Sequence, residues 1–485
     1  ANFTNLASAG VTNVDSTNNT LNVSVTQATA GITFTAADTV TVVDSQANIG
    51  AQNFTNLKNS GIDRVDVSGS STITVTVDQA LAGITFVDTT VIVSDTQANI
   101  EAANFANLQS AGVTTLDSTS GSLNITHAQA SAGLNFTASD TVTLVDSSTV
   151  LNSADYSSLG SNIDSINATD NNVTLSVNQA NDLDSYGVAF DVSDTVVVSD
   201  SQTNIQNANF TNLASVGISD VRIDSTSDNL TINLTQASTS GIVFTAGDSV
   251  VLSESSASLS GANYSLLKAN IDSINASDAG TVSLDKTQVI DVKTYGIAFD
   301  SGDNVTFSDT GANISSVSFQ DMVDIGVDTV DASDNVLTVS VDDTTKGISF
   351  TSGDTITVAD SQANIEAADF TTLLAQGVDI VDSSNNTLNI DVTEANSAMQ
   401  YVSGDSVNVT GTSGIDSLSI GTYDFNSVSL GAGSDNVTMD IDNLSSADTI
   451  DFGSGDTDTL TFNNSGTITD LDFTNISNLD GVNFA

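Results

Sequence analysis

The sequence predicts a β-rich repeat solenoid, an α/β solenoid of parallel strands with one short helix per repeat of about 52 residues, ending in a short β-roll-like segment. Three observations carry this. The string Asp-Ser-Gln-Ala-Asn-Ile begins at Asp44 and returns in altered form at Asp95, Asp146, Asp200, Glu254, Asp309 and Asp360, at steps of 51, 51, 54, 54, 55 and 51 residues. Between these strings, apolar residues alternate with polar ones at the two-residue period of strands. From Gly411 the text changes to glycine alternating with Asp. A unit of this size has too little surface to bury its own apolar face, so neighbouring copies must cover it. This organisation places about eight repeats in 1–410, the first truncated, and a Gly/Asp-rich segment in 411–485 that is expected to be incomplete at its C-terminal end.

Each repeat opens on a helix signal. In DSQANIGAQNFTNLKNSG, Asp44 or Ser45 is placed to cap, Ile49, Phe54 and Leu57 have helical spacing, and Gly61 stands where a left-handed terminator belongs. The spacing predicts a helix over about 46–60. Other copies repeat the pattern with Phe105, Leu108 and Gly112 or Phe370, Leu373 and Gly377. Asn162 and Asn270 replace the glycine in two copies, and Asn is the usual second choice for a left-handed residue.

Strands follow. Ile62, Val65, Ile73, Val75 and Val77 alternate with polar residues. An acidic position recurs here as Asp15, Asp66, Asp117, Asp224, Asp331 and Asp382, with Asn167 and Asn275 in the remaining copies. Asp and Asn both satisfy backbone N–H groups in turns, so an Asx-type corner is expected. The Gly-hydrophobe-x-Phe signature comes next, with Phe34, Phe86, Phe136, Phe190, Phe244, Phe299 and Phe350, rings expected to stack on one another in successive turns. A last strand such as 90–93 leads into the next helix. Since each unit ends as it began, like strands are expected to lie parallel and adjacent, with right-handed winding.

Composition narrows the function classes. There is no Cys, Pro or Trp, and seven Lys and Arg face 60 acids, of which only Glu101, Glu254, Glu366 and Glu394 are Glu, for a formal charge of -53. Asp is a turn residue and a hard-oxygen ligand, which fits calcium uptake as well as plain solubility. Seven scattered cations make no basic stripe for nucleic acid, and no apolar run is long enough for membrane insertion. With one histidine (His127) and no cysteine, zinc chemistry lacks its usual ligands. His127 occupies one repeat only, whereas the acids belong to the repeat rather than standing apart from it. No enzyme is expected. Thr-rich strands such as TITVTV (72–77) suggest an ice-ordering array, but the equivalent slots (NVSV, NITH, TINL, NIDV) break it.

The C-terminal segment carries the candidate metal residues. SLGAGSDNVTMD (429–440) and TIDFGSGDTDTLTF (449–462) approach the calcium nonapeptide pattern of glycines, Asp and a following hydrophobe. The glycines allow tight turns whose carbonyls, with an Asp carboxylate, can form an oxygen cage. Asp435, Asp456 and Asp458 are the candidate ligands, with Gly431, Gly433, Gly453 and Gly455 shaping the turns. Leu430 replaces the first glycine and one extra residue separates Gly455 from Asp458, so simple β-turn use is the competing reading.

ADTVTVVDSQANI, the following NF-x-NL run and LNVSVTQA resemble a repeat of large secreted proteins of Gram-negative bacteria, the RTX-type exoproteins and S-layer or adhesin-like surface proteins. The resemblance covers most of 1–410 by repeat and 429–462 by calcium motif. It implies an extracellular, cell-surface, self-assembling structural protein: a surface-layer, sheath or filament subunit ordered by calcium. The implied partners are copies of itself in a homo-oligomeric lattice or fibre, with outer-membrane polysaccharide as a further candidate. The alternative is a rigid stalk within a large secreted adhesin.

Overall fold

The computed structural model describes residues 2–484 apart from Ser161, Ile218, Ser219, Ala269, Thr422, Asp424 and Asp456. Two compact units divide the chain, 1–250 with 268–270 and 251–267 with 271–485. Each is a solenoid of short parallel strands. In the first, Thr20–Val23, Thr39–Asp44, Arg64–Val67 and Thr85–Phe86 lie side by side in that order. Thr72–Val75, Thr90–Asp95, Thr115–Ser118 and Asn135–Phe136 form the next sheet. In the second unit, Thr281–Leu284, Asn304–Asp309, Thr329–Ala332 and Ser349–Phe350 repeat the arrangement.

The register shows that a repeat is longer than two turns of the solenoid. Thr41 pairs with Arg64 and Arg64 with Thr85, so two turns advance 44 residues (41 to 85), short of the 51-residue step. The like strands Thr39–Asp44 and Thr90–Asp95 therefore fall in different sheets: Arg64–Val67 lies between Thr39–Asp44 and Thr85–Phe86, while Thr72–Val75 pairs with Thr90–Asp95. The expectation that like strands are neighbours is corrected: unlike strands follow one another in each sheet. One part of the repeat has a six-residue strand and two helices. The other has two four-residue strands and the short helix Val77–Ala80. The six-residue strand is long enough to pair by its first four residues with the rung before and by its last four with the rung after.

The helix expected over 46–60 is divided into Gln46–Gly50 and Phe54–Asn59. Ser45 caps the first, its side chain accepting from the N–H of Asn48, and Asn53 caps the second through the N–H of Asn56. A side chain that captures an N–H three residues on, from extended backbone, starts a new helix rather than continuing the old one. The break lets Ile49, Phe54 and Leu57 all face inward, where each is buried. Gly61, Gly112 and Gly377 do end these helices at positive φ; Asn162 and Asn270 share the positive φ, but there the second helix is absent or shortened to the 3-10 turn Tyr264–Leu266 among the described residues.

Val40, Val42, Val65, Ile73, Val75, Val91 and Val93 point into the core, while the alternating Thr and Asp stay outside. The signature phenylalanines do not stack on one another among the described residues. Six of the seven meet the equivalent aromatic of the helical segment before them, as Phe54 meets Phe86 at 6.5 Å between ring centroids, Phe105 meets Phe136 at 6.4 Å and Phe210 meets Phe244 at 6.3 Å. Successive signature strands such as Thr85–Phe86 and Asn135–Phe136 lie in different sheets, so the helical segment supplies the partner.

The recurring acid at Asp66 and its equivalents is not a corner. Asp66, Asp117, Asp224 and Asp331 sit within strands. The carboxylates of Asp117, Asp224 and Asp331 accept hydroxyls across the sheet: Ser94 Oγ donates to Asp117 at 2.7 Å, Ser199 Oγ to Asp224 at 2.6 Å and Ser308 Oγ to Asp331 at 2.9 Å. A strand side chain points away from its own backbone N–H groups, so a neighbouring strand's hydroxyl is the nearer donor.

Candidate metal centre

The change of text at Gly411 falls inside the second unit. A five-stranded sheet, Thr387–Asp391, Ser406–Thr410, Ser427–Ser429, Ile450–Asp451 and Ile476–Ser477, runs across it. The other face carries Ser417–Ile420, Asn436–Met439, Thr459–Phe462 and Gly481–Phe484. The residue just before each of these four strands is Asp416, Asp435, Asp458 and Asp480, and together they form a ladder. The N–H of Asp416 donates to Asp435 at 2.8 Å, that of Asp435 to Asp458 at 2.8 Å, and that of Asp458 to Asp480 at 3.0 Å.

The glycines form a second column. Gly431, Gly433 and Gly453 have φ of 98°, 147° and 84°, in the region that favours glycine. A Cβ on Gly433 would strike the Gly414 carbonyl, and one on Gly455 the Gly433 carbonyl, so adjacent turns approach too closely for any side chain. The same Cβ positions lie 2.9 Å from Asp435 Oδ1 and 3.1 Å from Asp458 Oδ1, so each carboxylate rests over its own glycine turn. Asp456 lies outside the described residues.

Asp435 is 1% exposed, and its Oδ2 is buried without a hydrogen-bond partner. Burial pushes its carboxyl above the usual range, the Asp416 N–H partly offsets this, and the charges of Asp416 and Asp458 add to it. An orphaned carboxyl oxygen beside a tight glycine turn is a donor of the kind a hard cation takes. Asp458 has one oxygen taken by the Asp435 N–H, and among the described residues no three acids or histidines gather as a metal group. The donor shown to be free there is the Oδ2 of Asp435.

Elsewhere the polar chemistry is structural. Asp44 Oδ1 accepts from the N–H of Ser45 at 2.8 Å and from Asn48 Nδ2 at 2.7 Å, while Oδ2 accepts from the N–H of Val25 on the preceding rung at 2.9 Å. That explains the Asp-Ser-x-x-Asn string. The hydrogen bond from Asn48 leads the causes that hold the Asp44 carboxyl below its usual range. His127 sits at the start of the short helix His127–Ala130, its Nε2 3.2 Å from the Asp155 carbonyl oxygen and its ring edge-on to Tyr156. A hollow of 690 Å³ in the first unit is lined by small residues such as Thr211, Ala214 and Gly241, with Asp220 as its one ionisable lining group.

The sequence reading missed a row of buried carboxylates at the true corners: Asp38, Asp88, Asp140, Asp194, Asp248 and Asp405. Each accepts a backbone N–H from the rung before, as Asp140 does from Ser118 at 2.9 Å and Asp405 from Ser383 at 2.8 Å. The recurrent Asp two residues ahead of an apolar strand residue, in ADTV (37–40) and GDSV (247–250), was the available signal. No family model, curated protein or solved structure matches the chain.

Proposed function

We propose that the chain is an extracellular structural protein, a calcium-ordered subunit of a bacterial surface layer, sheath or filament. The observation that carries this reading is repetition of function as well as of sequence. The same capping, inter-rung and corner hydrogen bonds recur from copy to copy, and the acids serve the repeat rather than one divergent site. Cations are few, and those that pair do so at the surface: Lys58 with Asp63 at 3.4 Å and Lys293 with Asp324 at 2.6 Å. Such pairs contribute little stability and leave most of the negative charge uncompensated. A divalent ion bound by the folded state alone stabilises it by mass action. Asp435 and Asp458 over Gly433 and Gly455 are the residues proposed to hold calcium at the C-terminal end, with Gly431 and Gly453 shaping the same turns.

Electron microscopy of the purified protein, with millimolar calcium and with chelator, tests the reading. Ordered sheets or fibres that dissolve on chelation are expected. Protein that stays monomeric in both conditions would end the assembly reading in favour of the adhesin stalk.

A further inference from the structure

The strand acid of a repeat and a buried corner acid meet through one threonine hydroxyl at three corners. Asp117 and Asp140 both lie within hydrogen-bond distance of one hydroxyl: Thr137 Oγ1 is 3.0 Å from Asp117 Oδ1 and 2.9 Å from Asp140 Oδ2. Thr35 stands in the same way between Asp15 and Asp38, at 2.9 and 3.1 Å, and Thr245 between Asp224 and Asp248, at 3.2 and 2.9 Å. A hydroxyl has one proton, so with both carboxylates ionised one of the two contacts brings oxygen against oxygen with nothing between. In each of these corners the second oxygen of the buried Asp (Asp38, Asp140, Asp248) is itself buried with no partner, and the three residues are 5–6% exposed. That oxygen is the second of the same carboxyl group whose Oδ2 accepts from the threonine hydroxyl and from a backbone N–H, so it is an acceptor of the corner left without a donor.

The charge of the corner is held constant by exchange between rungs. In six repeats the strand position is Asp and the residue paired across from it is uncharged, as Asp117 opposite Thr137. In the two repeats where the strand position is Asn, the opposite residue is Asp: Asp191 across from Asn167, and Asp300 across from Asn275. With the corner Asp included, every repeat carries two carboxylates here. Repulsion explains why there are never three. It does not explain why there is never only one, in a chain where Thr and Asn are abundant at every other polar position. Burial, with the charge of Asp191 added, holds the Asp194 carboxyl above its usual range, and burial with Asp382 does so for Asp405.

We propose that each repeat holds a hard divalent cation of calcium's class at this corner, between the buried Asp and the acid of the adjoining rung. All donors are oxygen, and two carboxylates balance a charge of two, which favours calcium over metals that seek nitrogen or sulfur. These sites are separate from the C-terminal ladder and do not depend on assembly. With only two carboxylates each, they belong to the weak end of calcium affinities, the millimolar range of extracellular modules.

The test is calcium stoichiometry of the full chain by equilibrium dialysis at millimolar free calcium, with circular dichroism confirming that each variant is folded. Asp117→Asn should lower the count by one calcium per chain. The double variant Asp117→Asn with Thr137→Asp, which copies the arrangement at Asn167 and Asp191, should restore it. An unchanged count in Asp117→Asn, or a folded double variant that fails to regain the ion, would overturn the proposal. Higher thermal stability of Asp117→Asn in chelator with an unchanged count would show that repulsion alone governs the corner. Sheets or fibres are scored separately by microscopy, so failure of the assembly reading and failure of these sites give different results.

Discussion

Gln79 donates through its Nε2 to the carbonyl of Gly50 on the preceding rung, at 2.9 Å, and to that of Gln52 at 2.8 Å. Its Oε1 meanwhile accepts from the N–H of Thr76 at 2.8 Å, closing a capping box. One amide thus starts a helix in its own rung and ties off the end of a helix in the rung before. Gln129, Gln179, Gln236 and Gln288 repeat the arrangement.

Replacing Gln79 by Glu keeps the acceptor for Thr76 and removes both donors. It also sets a charge against two carbonyls. We expect a loss of about 1–3 kcal/mol at neutral pH, the cost of buried polar groups left unpaired. The loss should shrink in acid, where a protonated Glu regains one donor. Urea unfolding at the two pH values checks this. Glu394 occupies the slot naturally, and burial pushes its carboxyl up from the usual range.

Phe105→Ala should cost about 3–5 kcal/mol, because the ring is buried and the cavity would lie between rungs. Combined with Phe136→Ala the losses should fall short of additive, since the rings touch. Phe86→Ala with Phe136→Ala should be additive. A double-mutant cycle showing coupling between Phe86 and Phe136 instead would contradict their placement in different sheets with different ring partners.

Gly433→Ala should destabilise the C-terminal turns by about 1–3 kcal/mol, from the strained φ and the carbonyl of Gly414 in its way. Hydrogen exchange should show faster opening over 411–462 while the strands of the first unit keep their protection. Equal loss of protection in both places would contradict a local effect.

In chelator, stability should peak in mild acid. Asp194, Asp303, Asp354 and Asp405 are raised above 3.8, chiefly by burial, so the folded chain holds those protons more tightly than the unfolded one. Their contribution is complete below the unfolded value and is lost as pH rises through the folded values. Asp44 and Asp309 are lowered, led by the hydrogen bonds from Asn48 and Asn313, and their contribution is lost as pH falls through the lowered values. Thermal melts should therefore reach their highest midpoint near the ordinary carboxylate value, falling towards neutrality and falling again in stronger acid. A midpoint that climbs steadily to neutral pH in chelator would refute the raised corners.

The period, the parallel β-rich solenoid, the glycine helix ends and the left-handed Asn162 and Asn270 were legible in the sequence, because each rests on local chemistry: turn residues, caps and two-residue alternation. The division of the helix at Asn53 was legible in principle, since Asn followed three residues later by Asn56 is a capping pattern, but the apolar spacing through Ile49, Phe54 and Leu57 masked it.

What the chain determined by itself is the unit: which residues face inward, where helices stop, and that copies must cover one another. Tertiary structure decided the pairing. A 51-residue period does not say how many turns fill it, because unlike strands can follow one another within one period. The fold places Arg64–Val67 between the unlike strands Thr39–Asp44 and Thr85–Phe86, turns Phe136 towards the helical Phe105, and brings Asp117 and Asp140 to one hydroxyl. Most of those contacts join residues on different turns, and the spacing of turns is set by backbone hydrogen bonds that no single segment contains.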